Sequence, residues 1–94
     1  MEPTPDQLQL ANMALGLAGE AGEVADAIKK HVFHGHDLDM MAVGKELGDL
    51  ILYIAAICTI LDLSLGGVMQ ANIEKLRRRY PDGFSVAASV NRVE

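Results

Sequence analysis

Two stretches of this 94-residue chain repeat one pattern, and the repeat constrains the fold more than any other feature. Glu20-Ala-Gly-Glu23-Val is matched, at an offset of 26 residues, by Glu46-Leu-Gly-Asp49-Leu. The apolar neighbours repeat at the same offset: Leu17, Val24 and Ile28 correspond to Val43, Leu50 and Ile54. At about 100° per residue, each stretch forms a helix with one apolar stripe and with carboxylates beside that stripe. The sequence therefore predicts two similar helices, each carrying two acids next to its packed face.

The first of these helices has a clear start signal. Thr4 is a suitable N-cap, Pro5 suits the first helical position, and Gln7 stands where a capping-box partner would. Glycines inside the segment weaken its helical propensity, and a break near Gly16 is one outcome.

Further caps are available for two more helices, from Asp37 or Asp39 and from Ser64. We expect a single domain over residues 1–94, with helices at about 5–32, 39–61 and 65–80 and a tail at 82–94.

Composition favours an all-α fold and excludes some functions. Half of the residues are hydrophobic and only 4% are aromatic, which is typical of aliphatic helix packing rather than of a β-sandwich. The net charge of −5 argues against a general nucleic-acid surface. The single cysteine, Cys58, cannot form an internal disulfide, and the apolar run at 50–61 is too short to span a bilayer. We expect a soluble cytoplasmic protein with no nucleic-acid or membrane partner.

Three helices with one wide apolar stripe each do not close a core by themselves. We therefore expect a helical hairpin plus a third helix, in a four-helix-bundle-like core that is completed by oligomerisation. A homodimer or a homotetramer would satisfy this requirement.

If the first two helices pack antiparallel, their four acids converge. The set is Glu20, Glu23, Glu46 and Asp49. Four close carboxylates repel one another, and their pKa values rise unless a cation compensates. Ligands that are all oxygen suit Mg²⁺, or Mn²⁺ as a substitute. A lone pair of acids on a helix is more often a solvated face, but two matching pairs favour a metal site.

The third predicted helix carries a basic cluster. Asn72, Lys75 and Arg79 fall within or beside its apolar stripe, whereas Arg77 and Arg78 point away from it. Basic side chains four residues apart on one face can bind phosphate oxygens together. The alternative is a basic helix end that complements the helix dipole. That alternative accounts well for the two outward arginines and less well for the inward residues.

Taken together, these motifs resemble the MazG-like nucleotide pyrophosphohydrolases of the all-α NTP pyrophosphatase superfamily. The resemblance covers residues 8–84 and rests on three motifs: Glu20-x-x-Glu23, Glu46-x-x-Asp49, and Asn72-x-x-Lys75 with Arg79. It implies Mg²⁺-dependent hydrolysis of a nucleoside triphosphate between its α and β phosphates, giving a monophosphate and pyrophosphate.

The resemblance also implies a role for each motif residue. The catalytic metal ligands would be Glu20, Glu23, Glu46 and Asp49. The substrate would be bound by Lys75 and Arg79 at its phosphates, and by Asn72 at the metal or the sugar. Gly19 stands where many relatives have a further glutamate, which leaves open the general base and the number of metal ions.

Other functions stay open at this stage. A related enzyme with a specialised substrate, such as dUTP, dCTP or phosphoribosyl-ATP, would share the acidic framework. A non-catalytic helical oligomer that binds metal or nucleotide would share it too. Tyr53 lies one turn after Asp49, so it either packs in the core or contacts a ligand.

Overall fold

The computed structural model describes residues 1–91, which form four helices and no strand. The helices are α1 (Pro5–His34), α2 (Met40–Ile60), α3 (Leu65–Arg79) and α4 (Val86–Val90). The all-α prediction is confirmed. The chain divides into two compact units, the first comprising Met1–Asp62 and the second beginning at Leu63.

Local signals in the sequence determine both ends of α1. The backbone N–H of Gln7 donates to Thr4 Oγ1 (3.1 Å), and the Thr4 N–H donates to Gln7 Oε1 (2.8 Å). This is the predicted capping box. The helix continues two residues beyond the predicted end and stops at Gly35, whose φ of 72° is left-handed. Glycine adopts that conformation without steric cost, so it terminates helices readily.

The hairpin of α1 and α2 is antiparallel, as three pairs of neighbouring residues along its length show. Asp6 near the start of α1 shares a surface depression with Ile60 at the end of α2. Gly16 contacts Tyr53, and Glu23 shares a cleft with Glu46. The N-cap of α2 is Asp39, whose Oδ1 accepts from the backbone N–H of Ala42 at 3.0 Å.

Gly16 does not break α1, because it makes room for a side chain of α2. A Cβ atom built on Gly16 would lie 2.6 Å from both Cε1 and Cζ of the Tyr53 ring. No real Cβ is accommodated at that distance, so either the ring or the helix would have to move. Gly16 is therefore a point of close approach between the two helices.

Much of the apolar surface of α2 does not face α1. Leu47, Ile51 and Ile54 follow helical spacing and are exposed by 46%, 62% and 40%. Cys58 is the one residue among the described part of the chain that counts as buried. Within residues 1–91 no single helix is long and apolar enough to cross a membrane, although α2 and α3 taken together would be, by length and composition alone.

The second unit contains α3 and α4. Ser64 caps α3 as expected, accepting from the Gly67 N–H at 3.1 Å, and the helix ends at Arg79, before Pro81. The segment predicted as a tail at 82–94 contains the short helix α4, so that prediction is wrong for Val86–Val90. Ser85 caps this helix. Five residues are too few to produce a periodic pattern, so the sequence offered little signal. Residues 92–94 lie outside the described part.

The contact between Gly16 and Tyr53 predicts how the fold responds to an added methyl group. Gly16→Ala should lower the free energy of unfolding by about 1–3 kcal/mol, since the methyl overpacks the interface between the helices. The matched control is Gly19→Ala, because a Cβ at Gly19 meets nothing within 4 Å. The control substitution should raise the free energy of unfolding by about 0.5–1 kcal/mol, because alanine has a higher helix propensity than glycine. Chemical denaturation at one protein concentration measures both changes, and equal effects would contradict the contact.

Candidate active site

The hairpin brings the four predicted acids into electrostatic range of one another. Glu20 and Glu23 project from α1, while Glu46 and Asp49 project from α2. Partial burial of the Glu20 carboxyl raises its pKa above the ordinary value, and the negative charges of Glu23, Asp49 and Glu46 raise it further. A group feels three neighbouring carboxylates in this way only when all of them lie close to it.

Two of the acids present atoms that are suited to a cation. Glu20 Oε2 and Glu46 Oε2 are buried, and neither has a hydrogen-bond partner in the described structure. Buried polar atoms are normally hydrogen-bonded, because leaving one unsatisfied is costly. A hard cation that prefers oxygen ligands would satisfy both atoms. The residues present therefore fit a Mg²⁺ or Mn²⁺ ion.

The arrangement is not a finished ligand shell. No group of three or more His, Cys, Asp or Glu side chains in residues 1–91 is already placed to hold a metal ion. Glu20 and Glu46 are half-buried, whereas Glu23 and Asp49 are exposed. The two outer carboxylates would therefore have to turn towards the inner pair when a cation binds.

Tyr53 closes one end of the acidic cluster. It lies one turn after Asp49 on α2, and its ring packs against Gly16, which lies one turn before Glu20 on α1. The sequence left open whether this tyrosine packs or contacts a ligand; the structure shows the packing contact with Gly16, and a ligand contact stays a prediction. The contact between Tyr53 and Gly16 could not be predicted from the sequence. A helical wheel shows on which side of a helix a residue lies, but not which residue of another helix it contacts.

A cleft of about 340 Å³ lies at the other end of the cluster, towards the loop between the helices. We call it the hairpin-end cleft. It is lined by Glu23, Asp26, Ala27, Lys30, His36, Asp37, Leu38, Asp39, Ala42, Val43 and Glu46. Two of the predicted acids, Glu23 and Glu46, thus form one of its walls. The cleft also escaped prediction, since it depends on the path of the loop.

Two ion pairs and one histidine contact involve residues at the cleft. Lys30 Nζ lies 2.8 Å from Asp26 Oδ2, and Lys29 Nζ lies 3.5 Å from Asp26 Oδ1. The hydrogen bond from Lys30 is the largest of the effects that lower the pKa of Asp26. The Nδ1 atom of His31 is 2.8 Å from the carbonyl oxygen of His36, which ties the loop to α1.

The predicted substrate-binding residues all lie on α3, in the second unit. Asn72 is exposed, while Lys75 and Arg79 are half-buried. Their spacing of three and four residues places them on one side of the helix. Arg77 and Arg78 are exposed, as the sequence suggested. The binding role of Asn72, Lys75 and Arg79 stays a prediction.

Comparison with known proteins decides the family. The family model described as the MazG nucleotide pyrophosphohydrolase domain matches residues 8–84. The chain belongs to this family. A protein of Mycobacterium phage L5, named Gene 37 protein, is 34% identical to this MazG protein over 90 residues, which cover 88% of the present chain and 76% of the phage protein. No solved structure matches the chain.

Membership confirms the resemblance that the motifs suggested. The matched range includes the two acidic pairs and the basic residues of α3. A MazG domain indicates a nucleotide pyrophosphohydrolase, a hydrolase of phosphoanhydride bonds, and such enzymes generally depend on a divalent metal ion.

The repulsion within the acidic cluster predicts the effect of removing one charge. Glu20→Gln should raise the melting temperature of this MazG protein in EDTA, since it removes a carboxylate that three others repel. Because the folded state raises the pKa of Glu20, its ionisation destabilises the fold as pH rises through that pKa. The difference in melting temperature between the variant and the unmodified protein should therefore shrink as the pH is lowered through the pKa of Glu20.

Mg²⁺ should raise the melting temperature of the unmodified protein more than that of the Glu20→Gln variant. Glu2→Gln is the matched control, because it removes the same charge at the exposed N-terminus. Thermal melts with and without Mg²⁺ measure these effects. A destabilised Glu20→Gln variant in EDTA would show that the cluster is not repulsive.

Proposed function

We propose that the protein hydrolyses nucleoside or deoxynucleoside triphosphates between the α and β phosphates, with a Mg²⁺ ion held by Glu20, Glu23, Glu46 and Asp49. Water attacks one of the two phosphorus atoms joined by the α–β bridging oxygen, and the bond from that atom to the bridging oxygen breaks. The products are a monophosphate and pyrophosphate. The observation that carries this proposal is the pair of buried, unpartnered oxygens on Glu20 and Glu46 within a four-carboxylate cluster.

The acids divide the work according to their exposure. The half-buried Glu20 and Glu46 would hold the ion, and the exposed Glu23 and Asp49 would complete its set of carboxylate ligands. When bound, the ion supplies positive charge that offsets the phosphates and helps to align them. Without it, the four carboxylates would repel a polyphosphate.

A carboxylate of the cluster takes the proton of the attacking water. The raised pKa of Glu20 belongs to the cluster without a cation, and a bound cation would lower the pKa of its ligands, so this shift does not single out Glu20 as the base. Gly19 offers no side chain for this role, although many relatives have a glutamate there. We therefore assign the proton transfer to a carboxylate oxygen of the cluster that does not bind the ion.

Three side chains of α3 bind the substrate. Lys75 and Arg79 contact phosphate oxygens, for which an ammonium and a guanidinium on one helix face are well suited. Asn72, one turn before Lys75, supports the metal or the sugar. Half-burial of Lys75 and Arg79 supports this role over a purely solvated basic helix end.

The working form is a homodimer or homotetramer. Exposed apolar residues on the outer side of α2, including Leu47, Ile51 and Ile54, support a bundle completed by a second copy, because contiguous exposed apolar surface marks interaction sites.

Light scattering coupled to gel filtration tests the assembly. The protein should elute as a dimer or a tetramer at micromolar concentration, and Ile51→Glu should shift it towards smaller species by placing a charge in the interface. Gln9→Glu adds a charge at an exposed polar position and should leave the assembly unchanged. A monodisperse monomer would contradict the proposal.

A product assay tests the reaction itself. All common NTPs and dNTPs are incubated with Mg²⁺ and the protein, and the products are separated by ion exchange. We expect monophosphate and pyrophosphate, and a loss of at least about 100-fold in Glu46→Gln, since losing a ligand exceeds the usual cost of losing its supporting partner. Glu74→Gln, the same change at an exposed position on α3, should retain activity.

Other products would redirect the assignment. Orthophosphate with a diphosphate would place the cleavage at the outer anhydride bond. Absence of turnover with intact Mg²⁺ binding would indicate a specialised substrate, such as phosphoribosyl-ATP, or a protein that binds without cleaving.

A further inference from the structure

We propose that the hairpin-end cleft receives the nucleoside end of the substrate, and that Lys30 and Asp37 contact the base there. The inference rests on the proposed function, because it takes the acidic cluster as the place where the triphosphate is held. It concerns the substrate part that the four acids leave unbound.

The position of the cleft limits what it can hold. Glu23 and Glu46 belong both to the acidic cluster and to the wall of the cleft, so the two are continuous. A triphosphate held at the acids extends in two directions, towards its nucleoside and towards its outer phosphates. The cleft volume of about 340 Å³ is at the lower end of the range for small-molecule sites. The cleft therefore holds one of these two ends.

The charge of the cleft indicates which end of the triphosphate it holds. Within residues 1–91, five carboxylates line the cleft: Glu23, Asp26, Asp37, Asp39 and Glu46. In the same part of the chain, Lys30 is the one permanently charged cation among the lining residues. Even with Glu23 and Glu46 offset by a divalent ion, three aspartates would outnumber this lysine. Outer phosphates would be repelled there, whereas a neutral base and sugar would not.

The walls and the polar groups of the cleft suit a flat heterocycle. Ala27, Leu38, Ala42 and Val43 supply apolar surface for the faces of a ring. Convergent apolar walls with a few polar groups are typical of small-molecule sites.

Two polar side chains are available for the edge of the ring. Asp26 holds the Lys30 ammonium at 2.8 Å, which limits its orientations while leaving N–H groups to donate. Asp37 lines the cleft and is exposed, so its carboxylate oxygens can accept. Bases differ in the order of donors and acceptors along their edges, so this pair would distinguish among them.

The experiment compares ligands with and without a nucleoside. Calorimetry measures the Kd values of α,β-methylene analogues of ATP, GTP, CTP and UTP, and of tripolyphosphate, each with Mg²⁺. The full chain is compared with Lys30→Met and Lys29→Met. The second variant is a matched control, since Lys29 carries the same charge and also contacts Asp26 but does not line the cleft.

We expect Lys30→Met to weaken the best-bound analogue by about 10-fold, the loss of one charge-assisted hydrogen bond. The ranking of the four bases should change, and the Kd of tripolyphosphate should not. Asp37→Asn should also change the ranking, and Lys29→Met should change neither quantity.

Three results would overturn the inference. An equal weakening of tripolyphosphate by Lys30→Met would show that the cleft binds outer phosphates. Identical behaviour of Lys30→Met and Lys29→Met would show that the cleft is not a subsite. Absence of any Mg²⁺-dependent nucleotide binding by the unmodified chain would overturn the proposed function as well, which separates that failure from the first two.

Discussion

Repulsion among four carboxylates at the middle of the α1–α2 hairpin is the interaction on which the rest of the account depends. The apolar stripes of α1 and α2 drive the helices together, and the acids lie beside those stripes. Packing the hairpin therefore forces Glu20 and Glu46 into partial burial, with Glu23 and Asp49 nearby. The favourable burial of apolar surface and the unfavourable approach of like charges arise from the same geometry. The divalent cation of the proposed function would remove the conflict, and metal binding would then be coupled to fold stability.

The two ends of the acidic cluster have different surroundings. At one end, the ring of Tyr53 packs against Gly16, where α1 and α2 approach closely. At the other end, the hairpin-end cleft opens beside Glu23 and Glu46. If the acids hold a ligand as proposed, the cleft beside Glu23 and Glu46 is the space into which that ligand can extend. The proposed hydrolysis and the proposed recognition of the nucleoside both depend on the register in which α1 packs against α2.

Periodic features of the chain were predictable from sequence, and features that depend on a loop or a partner atom were not. The repeat around Glu20 and Glu46 predicted the paired helices, and Thr4 and Ser64 predicted helix starts, because these signals act within one or two turns. The cleft around Lys30 depends on the path of the loop at 35–39, which no local pattern encodes. Gly16 was read as a weakness of α1, since only the packed structure shows the tyrosine that needs its space.

Electron paramagnetic resonance of bound Mn²⁺ reports on the acidic cluster without requiring turnover or substrate. We expect the protein to bind Mn²⁺ and Mg²⁺ to displace it competitively. Asp49→Asn should weaken this binding strongly, whereas Asp6→Asn, at the start of α1, should not. Mn²⁺ binding that is equally strong in Asp49→Asn, or that Mg²⁺ fails to displace, would contradict the proposed metal site.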